Sequence, residues 1–104
     1  MGGAVLDDSP ILDDIRSLLA LAPGDAGLAR VEDTLTAGYA AAMALEAEQW
    51  RIERQMAAMA GNGDADELLV LARRMSASKG DLSHLRTLLD SLRLRARELR
   101  TATA

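Results

Sequence analysis

Two long stretches of the chain carry apolar residues at alternating steps of three and four. The first stretch uses positions 28, 31, 35, 38, 42, 45, 49, 52, 56 and 59, which hold Leu, Val, Leu, Gly, Ala, Leu, Gln, Ile, Met and Met. The second uses 68, 71, 75, 78, 82, 85, 89, 92, 96 and 99, with Leu, Leu, Met, Ser, Leu, Leu, Leu, Leu, Ala and Leu. Such spacing keeps the side chains on one stripe of a helix, the heptad seam of a coiled coil. The seams predict helices over about residues 26–60 and 65–101.

Gly61-Asn62-Gly63 separates the two stretches, and glycine is the usual C-terminal stop of a helix. Asp64 with Glu67 three residues later forms an Asp version of the capping box, which opens the next helix. Folding the chain back at Gly63-Asp64 pairs the seams so that facing residue numbers sum to 127. Gln49 then meets Ser78, one polar layer among apolar ones. Gly38 meets Leu89, Ala42 meets Leu85 and Val31 meets Ala96, so small faces large, as a packed seam requires. A lone polar layer fixes register at some cost in stability. Each helix of about 35 residues would extend about 50 Å.

Upstream, Ser9-Pro10 reads as a helix start, with Ser as the cap and Pro in the first turn. Leu12, Ile15, Leu18, Leu19 and Ala22 form one apolar face, Pro23-Gly24 ends it, and Asp25 offers a second cap. The predicted fold is therefore all-α. An N-terminal segment, 1–24, carries a short helix over 10–22, and a long antiparallel coiled-coil helical hairpin occupies 25–104. Two helices cannot cover all their apolar surface. Tyr39, Met43 and Trp50 sit on one flank of the first long helix, with Ala37, Ala41 and Ala44 on the other. Leu88 lies beside the second seam. The short helix could fold back over one flank, the chain could dimerise into a four-helix arrangement, or a partner protein could cover the surface. These covers can coexist. Tyr39, Met43, Trp50 and Leu88 are thus the candidate partner or dimer interface.

Composition sharpens this picture. A chain of 104 residues supports one domain, and 49% hydrophobic content with only 2% aromatic suits long helices over strands. No cysteine is present, so disulfides and thiolate metal sites are excluded. No stretch approaches the roughly 20 apolar residues that span a bilayer. Met1-Gly2-Gly3-Ala4 lacks the basic start of a signal peptide, and Leu6 stands where a myristoylation motif wants Ser or Thr. A soluble cytoplasmic protein without membrane contact is expected. The net charge of −4 argues against direct nucleic-acid binding. Asp7, Asp8, Asp13, Asp14 and Asp25 nevertheless make the beginning acidic, while Arg86, Arg93, Arg95, Arg97 and Arg100 make the end basic. That basic end reads either as a solvated surface near a helix C-terminus or as a patch for an anionic ligand or partner.

Catalytic chemistry has little material. His84 is the sole histidine, which rules out a two-His metal site, and its helical position reads as surface. Asp7-Asp8 and Asp13-Asp14 suit a helix N-terminus; adjacent residues point apart and make poor acid–base pairs. Gly61-Asn62-Gly63 lacks Walker spacing. Neither a catalytic residue nor a metal ligand is assigned, and no cofactor is required. On the last helix Lys79, Ser83, Arg86, Asp90 and Arg93 share one stripe beside the seam. The stripe reads as a salt-bridge ladder in which Arg86 pairs with Asp90, or as a recognition surface for phosphate oxygens or a guanine edge. Composition does not choose between the two, and the ladder is preferred.

Asp64–Arg100, DADELLVLARRMSASKGDLSHLRTLLDSLRLRARELR, resembles the core helices of RsiG-type anti-sigma factors, also called aerial mycelium formation proteins. The likeness is closest over Asp81-Leu82-Ser83-His84-Leu85-Arg86-Thr87-Leu88-Leu89. The resemblance implies an antiparallel coiled-coil hairpin that sequesters a WhiG-class sigma factor when loaded with cyclic di-GMP. It implies a nucleotide motif E-x3-S-x2-R-x3-Q-x3-D, which Ser83 and Arg86 match. Lys79 stands where Glu is expected, Asp90 where Gln is expected and Leu94 where Asp is expected. The carboxylate for the guanine N–H groups is thus missing at Leu94, with Asp90 one turn earlier as its substitute. Ser83, Arg86 and Asp90 are the candidate nucleotide-binding residues. One motif copy per chain implies that such a site needs a homodimer. The sequence reading is a non-enzymatic regulatory binding protein, with a coiled-coil adaptor or assembly module without a small-molecule ligand as the alternative.

Overall fold

The computed structural model describes residues 11–21, 27–61 and 63–103. Three helices, and no strand, occur among the described residues: α1 (Ile11–Ala20), α2 (Leu28–Met59) and α3 (Ala65–Thr103). Each lies within a few residues of its predicted bounds. The Ser9-Pro10 start, Ala22, the Pro23-Gly24 stop, Asp25 and Asn62 lie outside the described residues.

Both seams face inward. On α2, Val31, Leu35, Gly38, Ala42, Leu45 and Ile52 are buried, and Leu28, Gln49, Met56 and Met59 are half-buried. On α3, Leu71, Met75, Ser78, Leu82, Leu85, Leu89, Leu92 and Ala96 are buried, flanked by half-buried Leu68 and Leu99. The helices pack antiparallel along a molecule 60 Å long. Glu32 meets Arg100 at 2.9 Å near the open end, and Gln49 Nε2 donates to Ser78 Oγ at 3.3 Å further along. Gly38 sits against Leu89 so closely that a β-carbon there would clash with Leu89 Cδ2. The predicted register is therefore the observed one at both of these layers.

The turn follows from its glycines. Gly61 has φ +86°, the left-handed conformation that glycine adopts without steric cost. Gly63 donates its N–H to Met59 O at 2.6 Å, and a β-carbon on Gly63 would lie 2.7 Å from that same oxygen. Asp64 Oδ1 then accepts the Asp66 N–H at 2.8 Å, so α3 starts on a side-chain cap made to the residue before the Glu67 of the predicted capping box.

α1 runs alongside α3 in the same direction. Arg16 contacts His84, while the Leu21 carbonyl contacts Arg95 further along α3. Ile11, Ile15 and Leu18 are buried in one core with the α2 and α3 seams, and half-buried Leu12, Leu19, Ala41 and Leu88 pack against it. Burying side chains such as Ile15 and Leu18 contributes about 1.5–3 kcal/mol each before the cost of ordering the chain. Of the three covers weighed from sequence, the short helix takes the Ala41/Leu88 flank. A second, smaller core of Ile52, Leu71 and Met75, with Met56 and Met59 against it, holds the turn end.

Candidate binding face

Because α1 occupies one flank, no helix among the described residues covers the other flank of the hairpin. There Tyr39 is 41%, Met43 65% and Trp50 70% exposed. Such large apolar side chains at positions 39, 43 and 50 follow the seven-residue geometry of one helix face, so they form a stripe parallel to the seam. Leu88 does not share this surface. It is half-buried in the core on the flank that α1 covers, so its apolar area is already matched within the chain.

Three depressions line up between α2 and α3 on the open face. The first, about 310 Å³, is walled by Glu32 and Thr36 on α2 and by Arg97 and Arg100 on α3. The second, about 380 Å³, lies between Met43 and Glu46 on one side and Leu89 on the other. The third, about 440 Å³, is lined by Gln49, Lys79, Ser83 and Thr87. Tyr39 and Arg93 border both the first and the second, and Arg86 and Asp90 border both the second and the third. The three therefore form one continuous groove. It brings together Ser83, Arg86 and Asp90 with Tyr39 and Met43. Trp50 lies outside these linings, one helical turn beyond Glu46.

The polar stripe of α3 is wired differently from the predicted ladder. In place of an Arg86–Asp90 pair, Arg86 reaches across the hairpin to Glu46 at 3.7 Å, and Asp90 pairs with Arg93 at 3.8 Å. The physical reason is the neighbouring helix, which puts a carboxylate beside Arg86 that no pattern within α3 reveals. Arg100–Glu32, at 2.9 Å, repeats the cross-hairpin arrangement. All six side chains are largely exposed, so each pair contributes about 0–1 kcal/mol. Lys79 and Arg97 add two further positive charges along the groove.

The basic end of the sequence is divided between two roles. Arg95 turns away from the groove and donates to the carbonyls of Leu18 at 3.4 Å, Leu19 at 3.3 Å and Leu21 at 3.1 Å. It thus caps the Leu19 and Leu21 carbonyls at the C-terminal end of α1 and gives a second donor to Leu18, whose carbonyl also accepts the Leu21 N–H at 3.3 Å. His84 is exposed and lies 2.7 Å from Arg16 through Nε2, so it also serves the α1 contact. On the α1 side of the hairpin, Glu48 bridges Arg51 at 2.7 Å and Arg74 across to α3. Its carboxyl is held below the usual value, chiefly by the Arg51 hydrogen bond and further by Arg74, against the opposing effect of burial.

The turn end carries an apolar depression of about 530 Å³, lined by Ala58, Met59, Val70 and Leu71 with Asp66 and Glu67 at its edge. Val70 is 54% exposed in this lining, and Leu69, next to it in the chain but outside the lining, is 50% exposed. Their signal was present in the sequence: Leu68-Leu69-Val70-Leu71 is four apolar residues in a row, whereas the seam uses only the outer two. Among the described residues no cluster of three or more His, Asp or Glu could hold a metal ion, and no helix is long and apolar enough to cross a membrane. No family model, curated protein or solved structure matches the chain.

Proposed function

We propose that the protein is a non-enzymatic regulatory binding protein that holds a protein partner on its open face. One observation carries this reading: α1 covers a single flank of the hairpin and leaves Tyr39, Met43 and Trp50 exposed beside a groove with arginines. Exposed aromatic side chains next to Arg are the groups that dominate interface energy when a partner excludes water from them. The resemblance of Asp64–Arg100 to RsiG-type anti-sigma factors gives the partner class, a sigma factor of the WhiG type. The alternating seam spacing supports a coiled-coil twist of α2 about α3, and a cytoplasmic location fits a transcription regulator. Affinity capture from the native cell, comparing the parent with Trp50→Ala/Met43→Ala, tests the reading. A sigma factor recovered by the parent and lost in the variant supports it. Recovery of a large assembly, equally by both proteins, favours the adaptor or assembly module instead.

A second reading, cyclic di-GMP as ligand, is favoured by the way Ser83, Arg86 and Asp90 line one depression with Lys79 and Gln49. Arg supplies the planar donors that phosphate or guanine would take, and Asp90 supplies the carboxylate. A homodimer that pairs two such half-sites in a four-helix arrangement belongs to this reading. Isothermal titration with the dinucleotide, together with sedimentation in its presence and absence, decides it. Micromolar binding that disappears in Arg86→Ala supports the site, and no heat at any concentration removes it.

A further inference from the structure

We infer that the groove on the open face seats one acidic amphipathic helix of the partner, about five turns long; the inference rests on the reading of that face as the binding surface. Length comes first. The continuous groove runs from Glu32 and Arg100 at one end to Gln49 and Lys79 at the other. Residues 32–49 of an α-helix rise about 26 Å, which matches a partner helix of about 18 residues laid alongside.

The two walls of the groove then fix the chemistry of that helix. The α2 wall offers Tyr39 and Met43, continued by Trp50, and these accept an apolar stripe repeating at steps of three and four. The α3 wall offers Lys79, Arg86, Arg93, Arg97 and Arg100. These five cations stand against three lining carboxylates, Glu32, Glu46 and Asp90. The groove is therefore locally positive on a chain whose net charge is −4. A helix whose apolar stripe faces α2 presents the adjoining edge to the α3 wall, and carboxylates on that edge complement it. The existing pairs do not block this. Arg86–Glu46 and Arg100–Glu32 are exposed and weak, so the guanidinium groups can turn to incoming carboxylates without leaving a buried charge behind.

Trp50 is the only tryptophan and reports on the face directly. The experiment titrates the full chain with two tryptophan-free helical peptides of about 18 residues. Both carry the same leucine stripe; one has Glu along the adjoining edge and the other has Lys. The expected result is a blue shift of Trp50 emission with the Glu peptide and binding at least about tenfold tighter than the Lys peptide. Arg93→Glu/Arg97→Glu, both at exposed positions, should reverse that preference, with Lys79→Glu as the independent second variant. Equal or tighter binding of the Lys peptide overturns the inference while the binding-face reading stands. If neither peptide binds, both fall. Self-association through Trp50 that excludes the Glu peptide shows a second copy to be the occupant, and this too overturns the inference.

Discussion

Gln49 donates to the buried Ser78 hydroxyl at 3.3 Å across the hairpin, and this pair forms a polar layer between apolar ones. Its energetics are asymmetric. Ser78→Ala leaves the Gln49 amide without that partner and should cost about 1 kcal/mol, measured by urea denaturation. Gln49→Leu/Ser78→Ala removes both polar groups and should recover or exceed parental stability. A double variant less stable than either single one would show that the layer does more than set register.

Arg95 ties α1 to the hairpin through three carbonyls. Arg95→Ala should cost about 1–2 kcal/mol, discounted for its partial exposure. The loss should be local. Amide exchange of residues 11–20 should accelerate, while the Leu82, Leu85 and Leu89 amides keep their protection. Uniform acceleration along all three helices would contradict the tether.

Gly61 adopts φ +86° at the end of α2. Gly61→Ala places a β-carbon in a left-handed conformation and should destabilise by about 1–2 kcal/mol in thermal or urea unfolding. An unchanged midpoint would mean that the turn relaxes to another geometry.

Acid should loosen the Glu48 bridge. Its folded-state pKa lies below the usual 4.5, first through Arg51 and then through Arg74. A depressed carboxyl contributes stability that is fully present above the unfolded value and is lost as pH falls through the folded one. Stability of the parent should therefore decline below about pH 4.5 more steeply than that of Glu48→Gln, by the difference that this one group makes. Parallel pH profiles for the two proteins would remove Glu48 as a contributor.

Trp50 makes the opposite prediction. At 70% exposure, Trp50→Ala should leave stability within about 0.5 kcal/mol of the parent. The same change should weaken partner binding by about 2 kcal/mol, or about thirtyfold, in titration against the captured partner. A fall in melting temperature with unchanged binding would invert the roles assigned to core and face.

The parts legible in the sequence are those set by periodicity within one helix. The 127 register follows from two seams and one turn, and Gln49–Ser78 and Gly38–Leu89 lie where it puts them. The Asp64 cap is equally local. Contacts made by the flanks of the helices, outside the seams, were less legible. Arg86 pairs with Glu46, 40 positions away, because the sum rule applies to seams and not to their flanks. The role of Arg95 needs an α1 lying beside α3, and composition alone left three ways of covering the hairpin. Leu88 illustrates the same limit, since its burial depends on which flank α1 takes.

The unequal division of the core has a mechanical consequence. Residues near α1 share a three-helix interior, whereas the turn end relies on Ile52, Leu71, Met75 and two further methionines. Methionine fills space without locking a single rotamer. The molecule is thus stiffer beside α1 than beside its turn. Thermal opening should begin in the packing of Ile52, Met56, Met59, Leu71 and Met75, before it disturbs α1.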